Sequence, residues 1–135
     1  MGFLDKVTRR SGGDPEVRPR DVRWIPVEVR GEASYQAAFE RVCGPRCRDG
    51  EERQVDATIA RDPANPYDPN AVEVRVGGEL VGFVARESAA ELARIMDAKG
   101  RPSSPARGLI VGGWERGSER GHYGIQLWVP EPDAL

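Results

Sequence analysis

The sequence predicts a mainly β fold of the α+β kind: a small antiparallel sheet of six strands curled towards a barrel, with two helices. Three observations predict it. Apolar and polar residues alternate over short runs, the period of a half-buried strand. Glycine and proline, 16 and 11 of 135 residues, punctuate those runs with turns. The elements follow in the order strand, helix, three strands, helix, two strands, without the repeated strand–helix alternation that a parallel sheet requires. A chain of 135 residues fits one domain. We place it at residues 22–130, with a flexible arm at 1–21 and a C-terminal tail at 131–135.

The arm is rich in Gly, Pro and charge, with one helical turn expected from Gly2 to Thr8. Residues 22–30 form the first strand; Pro26 lacks an amide donor and belongs at an edge or bulge. Residues 34–43 turn helical, with Phe39, Val42 and Cys43 at helical spacing and Gly44-Pro45 as the stop. Val55 to Ile59 reads as the second strand. A turn-rich segment, 62–70, leads into the clean alternation of Val72, Val74 and Val76, and Gly77-Gly78 then marks a hairpin to residues 80–84. Ser88 and Glu91 have the spacing of a capping box for a second helix, with Leu92, Ile95 and Met96 as its buried stripe and Gly100 as its end. Residues 101–107 read as a Pro/Ser loop. Residues 108–114 and 122–129 make the last strand pair across a Gly-rich segment. Trp24, Trp114 and Trp128 read as core residues.

Composition narrows the function classes. Hydrophobic residues make up 39% and charged residues 31%, a balance too apolar for wholesale disorder. The longest apolar runs are far below the ~20 residues of a membrane span. The first ten residues carry three bases and an acid, unlike a secretory signal. Lys6 also stands where a myristoylation motif needs Ser or Thr. A cytoplasmic location without membrane contact is the expectation. The net charge of -2 supplies no overall field to recruit nucleic acid. Locally the balance varies: residues 98–121 hold five bases against two acids, whereas 51–79 hold seven acids against three arginines. Cys43 and Cys47 are separated by three residues and the lone histidine, His122, is distant, so a structural or inert thiol pair is expected rather than a zinc site. No cofactor and no metal is implied.

Residues 61–72, Arg-Asp-Pro-Ala-Asn-Pro-Tyr-Asp-Pro-Asn-Ala-Val, carry a long and unusual motif. Val81-Gly82-Phe83-Val84 and the helix after it, residues 31–36 upstream and 108–113 downstream extend the pattern. Together they resemble the HIRAN domain family over residues 22–129. The resemblance implies an OB-like barrel that binds single-stranded DNA and captures its free 3′ end in repair or replication-fork processing. Family members sit at the N-terminus of eukaryotic remodelling ATPases or, in bacteria, stand alone. This chain is similar to the free-standing kind, so a helicase or nuclease it serves would be a separate protein.

The resemblance implies a DNA-binding set of Tyr35, Asn65, Tyr67, Asp68, Phe83 and Arg86. Tyr67 offers a flat face on which any base can stack. Asp68, when ionised, only accepts hydrogen bonds; it would welcome a 3′-hydroxyl and repel a 3′-phosphate. Asn65 suits a base edge or sugar, Arg86 a backbone phosphate, and Tyr35 and Phe83 further stacking. Each has a plainer reading. Asn65, Asp68 and Asn70 are residues that close Asx turns, the rings can be core anchors, and Arg86 can be a solvated charge. The sequence also departs from the DNA-binding members: Ala64 replaces an asparagine, and Ala33 and Ser34 stand where those members carry an arginine and an extra aromatic. That leaves an alternative, a protein-interaction adaptor on the same barrel without DNA binding. An enzyme is not expected, because the chain lacks the paired nucleophile and base of a hydrolase, and Asp62 with Asp68 is a thin case for Mg²⁺. Oligomeric state, base preference and pathway are not encoded in any motif.

Overall fold

A computed structural model describes residues 22–135. The arm assigned to 1–21, with its helical turn, lies outside the described residues. Nine strands, two α-helices and two 3-10 turns follow: β1 (Trp24–Val27), β2 (Val29–Arg30), a 3-10 turn (Glu32–Tyr35), α1 (Gln36–Cys43), β3 (Glu51–Arg61), β4 (Val72–Val76), β5 (Glu79–Val84), α2 (Arg86–Ala98), β6 (Ser103–Gly112), β7 (Glu115–Arg116), β8 (Glu119–Arg120), β9 (Tyr123–Pro130) and a 3-10 turn (Pro132–Ala134).

The main sheet is antiparallel, with strand order β1-β9-β6-β3-β4-β5-β2. Its two outer members, β1 and β2, are consecutive halves of the strand expected at 22–30, broken at Glu28. The first half pairs with β9 (Val27 opposite Leu127) and the second with β5 (Val29 opposite Val84). One segment thereby staples both edges, and six strand segments close into a ring, as the sequence predicts. Closure removes the exposed edges on which chains aggregate.

Where β9 runs on past β1, side chains take over the edge. Gln36 donates to the Tyr123 carbonyl and accepts from its amide, and Glu32 accepts from the Ile125 amide. Inside the ring sit the alternating residues Ile59, Val72, Val74, Ile110, Ile125 and Leu127, all buried. Helix α1 adds Phe39, whose ring stacks 5.5 Å from Tyr123. Helix α2 contributes Leu92, Ala93 and Met96.

Several elements differ from the sequence reading. The loop expected at 101–107 is strand from Ser103 onward; its Pro105 pairs with Thr58 of β3, but β9 joins β6 only from Arg107, so the missing amide leaves no ladder bond unmade. The second strand extends from five residues to the eleven of β3. The capping box does not form. The chain enters α2 at Ala85, the Ser88 amide donates to the Ala85 carbonyl, and Ser88 therefore lies inside the first turn. Gly100 ends the helix as expected, with φ of 65° and the Arg101 amide reaching back to the Met96 carbonyl. The tryptophans are not core: Trp24, Trp114 and Trp128 are all half-exposed. Trp128 pairs with Pro26 and Arg107 on the row of side chains facing away from Leu127. The tail 131–135 packs against the barrel, with Leu135 buried and its carbonyl held by Lys99.

Candidate functional site

The loop joining β3 to β4 folds back on itself. Asn65 Oδ1 accepts from the amides of Tyr67 (2.9 Å) and Asp68 (3.1 Å), while its Nδ2 donates to Asp62 Oδ2 at 3.1 Å. Asp68 Oδ1 accepts from the Asn70 amide at 2.9 Å. These are Asx turns, the reason Asn and Asp are favoured at such positions. The prolines at 63, 66 and 69 further restrict the backbone.

Arg61, the last residue of β3, clamps this loop. Its side chain is only 8% exposed. It grips Asp97 at the end of α2 with two hydrogen bonds (2.9 and 3.1 Å) and donates to the carbonyls of Ala71 and Pro69. The forked guanidinium suits this task because it satisfies a carboxylate and two carbonyls from one plane. The Arg61 guanidinium holds the Asp97 carboxyl below its usual range.

A loop tied down in this way presents Tyr67 outward. Its side chain is 86% exposed, the lone exposed large hydrophobic among the described residues. Solvating a large ring on a rigid loop gains the fold nothing, and such exposure points to recognition. Beside it, Arg86 opens α2. Its Nε lies 3.5 Å from Asp68 Oδ2 and its Nη2 donates to the Tyr67 carbonyl at 3.2 Å. Asp68 is one-fifth exposed and Arg86 three-quarters exposed.

Tyr67, Asp68 and Arg86 thus form one cluster. Asn65 braces the loop with its oxygen and one amine contact. Tyr35 and Phe83 form a second group, with ring centroids 6.3 Å apart and planes tilted by 53°. Both rings are half-buried, and Phe83, in β5, is three residues before Arg86 at the start of α2. Arg30 of β2 pairs opposite Phe83. Glu28, Glu87 and Glu32 all raise the Arg30 pKa, Glu28 most through a hydrogen bond.

Chemically, the cluster offers a stacking face, an acceptor-only carboxylate and an exposed cation. Among the described residues no three of His, Cys, Asp and Glu converge to hold a metal ion. Cys43 is a buried free thiol, whose pKa burial pushes up, and Cys47 is an exposed free thiol. Sequence reasoning missed Arg61 and Asp97, which lie 36 residues apart and meet only in the folded chain.

A closed antiparallel barrel with a braced loop displaying a ring and an ion pair defines a small β-barrel binding module. The comparisons specify it. The family described as HIRAN domain matches residues 35–103, about half of the chain, and the protein belongs to the HIRAN domain family. Membership implies a nucleic-acid-binding module. The helicase-like transcription factors of human, mouse and rabbit (Oryctolagus cuniculus) are each 52% identical over 42 residues, 30% of this chain. That match spans only 4% of each of those much longer relatives. The crystal structure of the HIRAN domain of human HLTF is 26% identical, covering 82% of this chain and 81% of that one with a TM-score of 0.41.

Proposed function

We propose that this domain binds single-stranded DNA at its free 3′-hydroxyl end and performs no chemistry itself. The observation that carries the reading is the fully presented Tyr67 ring beside the Asp68–Arg86 pair. The terminal base stacks on Tyr67, an interaction of about 1–3 kcal/mol that any base can make. The 3′-hydroxyl donates to Asp68 Oδ2, whose sister oxygen is already held by the Asn70 amide. Arg86 is exposed enough to swing from Asp68 towards the phosphate preceding the terminal sugar. Tyr35 and Phe83 offer a second aromatic surface for the next base. A separate helicase or nuclease would supply catalysis in repair or at forks.

Fluorescence anisotropy with a short oligothymidylate tests this. Tyr67→Ala should weaken binding about 5- to 150-fold, the range that 1–3 kcal/mol of stacking spans, and Asp68→Ala should weaken it as well. Unchanged affinity in both variants would reject the site.

A further inference from the structure

Ring closure covers the two ends of the sheet but leaves one strand longer than its neighbour. β6 runs beside β3 from Glu51 to Ala60, whereas β4 reaches only Thr58 to Arg61. The first half of β3 is therefore paired on one side only. Backbone direction says which groups are left over. The Arg61 amide donates to Pro102, on the β6 side, and the Asp62 amide to Ala71, on the β4 side. Successive residues of a strand point their N–H and C=O to opposite sides. Odd-numbered residues of β3 thus face β6, and even-numbered ones face the other way. Thr58 and Ala60 meet β4 there. Glu52, Gln54 and Asp56 meet no strand, and among the described residues no hydrogen bond fills their outward amides and carbonyls.

Three donors and three acceptors in a row are a template for another strand. An extended polypeptide matches that spacing, so the occupant is protein. Charge then separates the candidates. The side chains of Glu52, Gln54 and Asp56 share the outer face, and all three are exposed. Neither acid has a salt-bridge partner among the described residues. On β6, Glu52 stands opposite Val111, Gln54 opposite Leu109 and Asp56 opposite Arg107, whose guanidinium lies over the Trp24 ring. On the inner face Glu51 and Arg53 neutralise each other at 3.1 Å, and Val55 packs against the core. A second copy of this chain, antiparallel about Gln54, would set Glu52 against Asp56, acid on acid. The same two acids repel a phosphate backbone. They attract a strand that carries bases at those two places.

We propose that the unpaired edge of β3 adds one extended strand of a partner protein. Two basic residues of that strand, four positions apart, face Glu52 and Asp56, and an apolar residue lies opposite Val55. Backbone bonds to Glu52, Gln54 and Asp56 supply the grip, and the two acids supply the selectivity. The stretch from 52 to 56 spans roughly 17 Å and takes a segment of about five residues. Acids on an edge also deter unspecific pairing, so the surface resists aggregation and still accepts a matching strand. The Tyr67 loop leaves the far end of β3, which keeps the two surfaces apart.

The test pans a phage-displayed library of random dodecapeptides on the wild-type chain, then titrates the best peptide by anisotropy. The expected result is enrichment of sequences with Lys or Arg at both i and i+4. Gln54→Pro removes an amide that no ladder bond uses, and should lower affinity by about 10-fold or more while thermal melts show the barrel intact. Glu52→Lys combined with Asp56→Lys should do the same. Two N-methylated forms of the peptide, blocking alternate sets of amides, probe the backbone without altering the protein. One set should abolish binding and the other leave it. Tyr67→Ala should bind the peptide as wild type does. Failure to enrich any peptide, enrichment without the paired bases, or indifference to both N-methylated sets overturns the proposal. Sedimentation of the wild type as a dimer that Gln54→Pro dissolves overturns it in favour of a second copy. Displacement of the peptide from Tyr67→Ala by an oligonucleotide overturns it in favour of nucleic acid.

Discussion

Single residues of the loop at 62–71 divide into groups that recognise and groups that brace. Tyr67 touches little of the fold, so Tyr67→Ala should leave thermal stability within about 0.5 kcal/mol of wild type while reducing DNA affinity. Thermal melts alongside binding curves check both halves. Asn65→Ala is different: it removes the acceptor for two backbone amides and should cost about 1–2 kcal/mol of stability together with affinity. The motif that carries these residues was readable in the sequence. What was not readable was which way each faces. Turn residues have no period, so alternation cannot say whether Tyr67 anchors the core or stands in solvent. Asn65 makes the Asx-turn bonds of the plainer reading, and Tyr67 stands in solvent and not in the core.

Among elements, the site depends on a contact between the end of β3 and the end of α2. Arg61→Lys keeps the charge but loses the fork, and should free the loop at 62–71. Hydrogen exchange at those amides should quicken, with DNA affinity falling several-fold and the barrel intact. The pH response has a definite sign. The Asp97 carboxyl is lowered by Arg61, so its contribution is present above the ordinary aspartate pKa. That contribution is lost as pH falls through the lower folded value, below about pH 4. Asp97→Asn should remove that acid-side component of stability from a pH series of melts. Close approach sets a further constraint: a Cβ at Gly82 would lie 2.8 Å from Val29 Cγ1 and 3.0 Å from the Arg30 carbonyl. Gly82→Ala should destabilise by about 1–3 kcal/mol through pressure on the β2–β5 seam, measured by denaturant titration. None of these contacts has a local signature. The strand beginning at Ser103 was hidden because Pro105 and two serines look like a loop, and Ser88 is not the cap because the helix starts three residues earlier, behind Ala85.

For the whole molecule, antiparallel order was legible because alternation and Gly/Pro punctuation are local properties; the six strands expected become seven in the main sheet because the first is broken at Glu28, and β7 and β8 add a small separate pair. The barrel was expected, but not the way it closes, since nothing in residues 22–30 announces that one strand serves two edges. The net charge of -2 has its own consequence. With one arginine at the proposed end site, affinity should fall only gently with salt, with a log–log slope of about −0.7 to −1.4 for one or two phosphate contacts. A much steeper slope would mean that a broad cationic surface dominates instead. The most direct measurement of the central claim compares two otherwise identical oligonucleotides, one ending in a 3′-hydroxyl and one in a 3′-phosphate, titrated against the wild type and Asp68→Asn. The account predicts at least ~10-fold weaker binding of the phosphorylated end by wild type, and loss of most of that difference in Asp68→Asn. Equal wild-type affinity for both ends would contradict it.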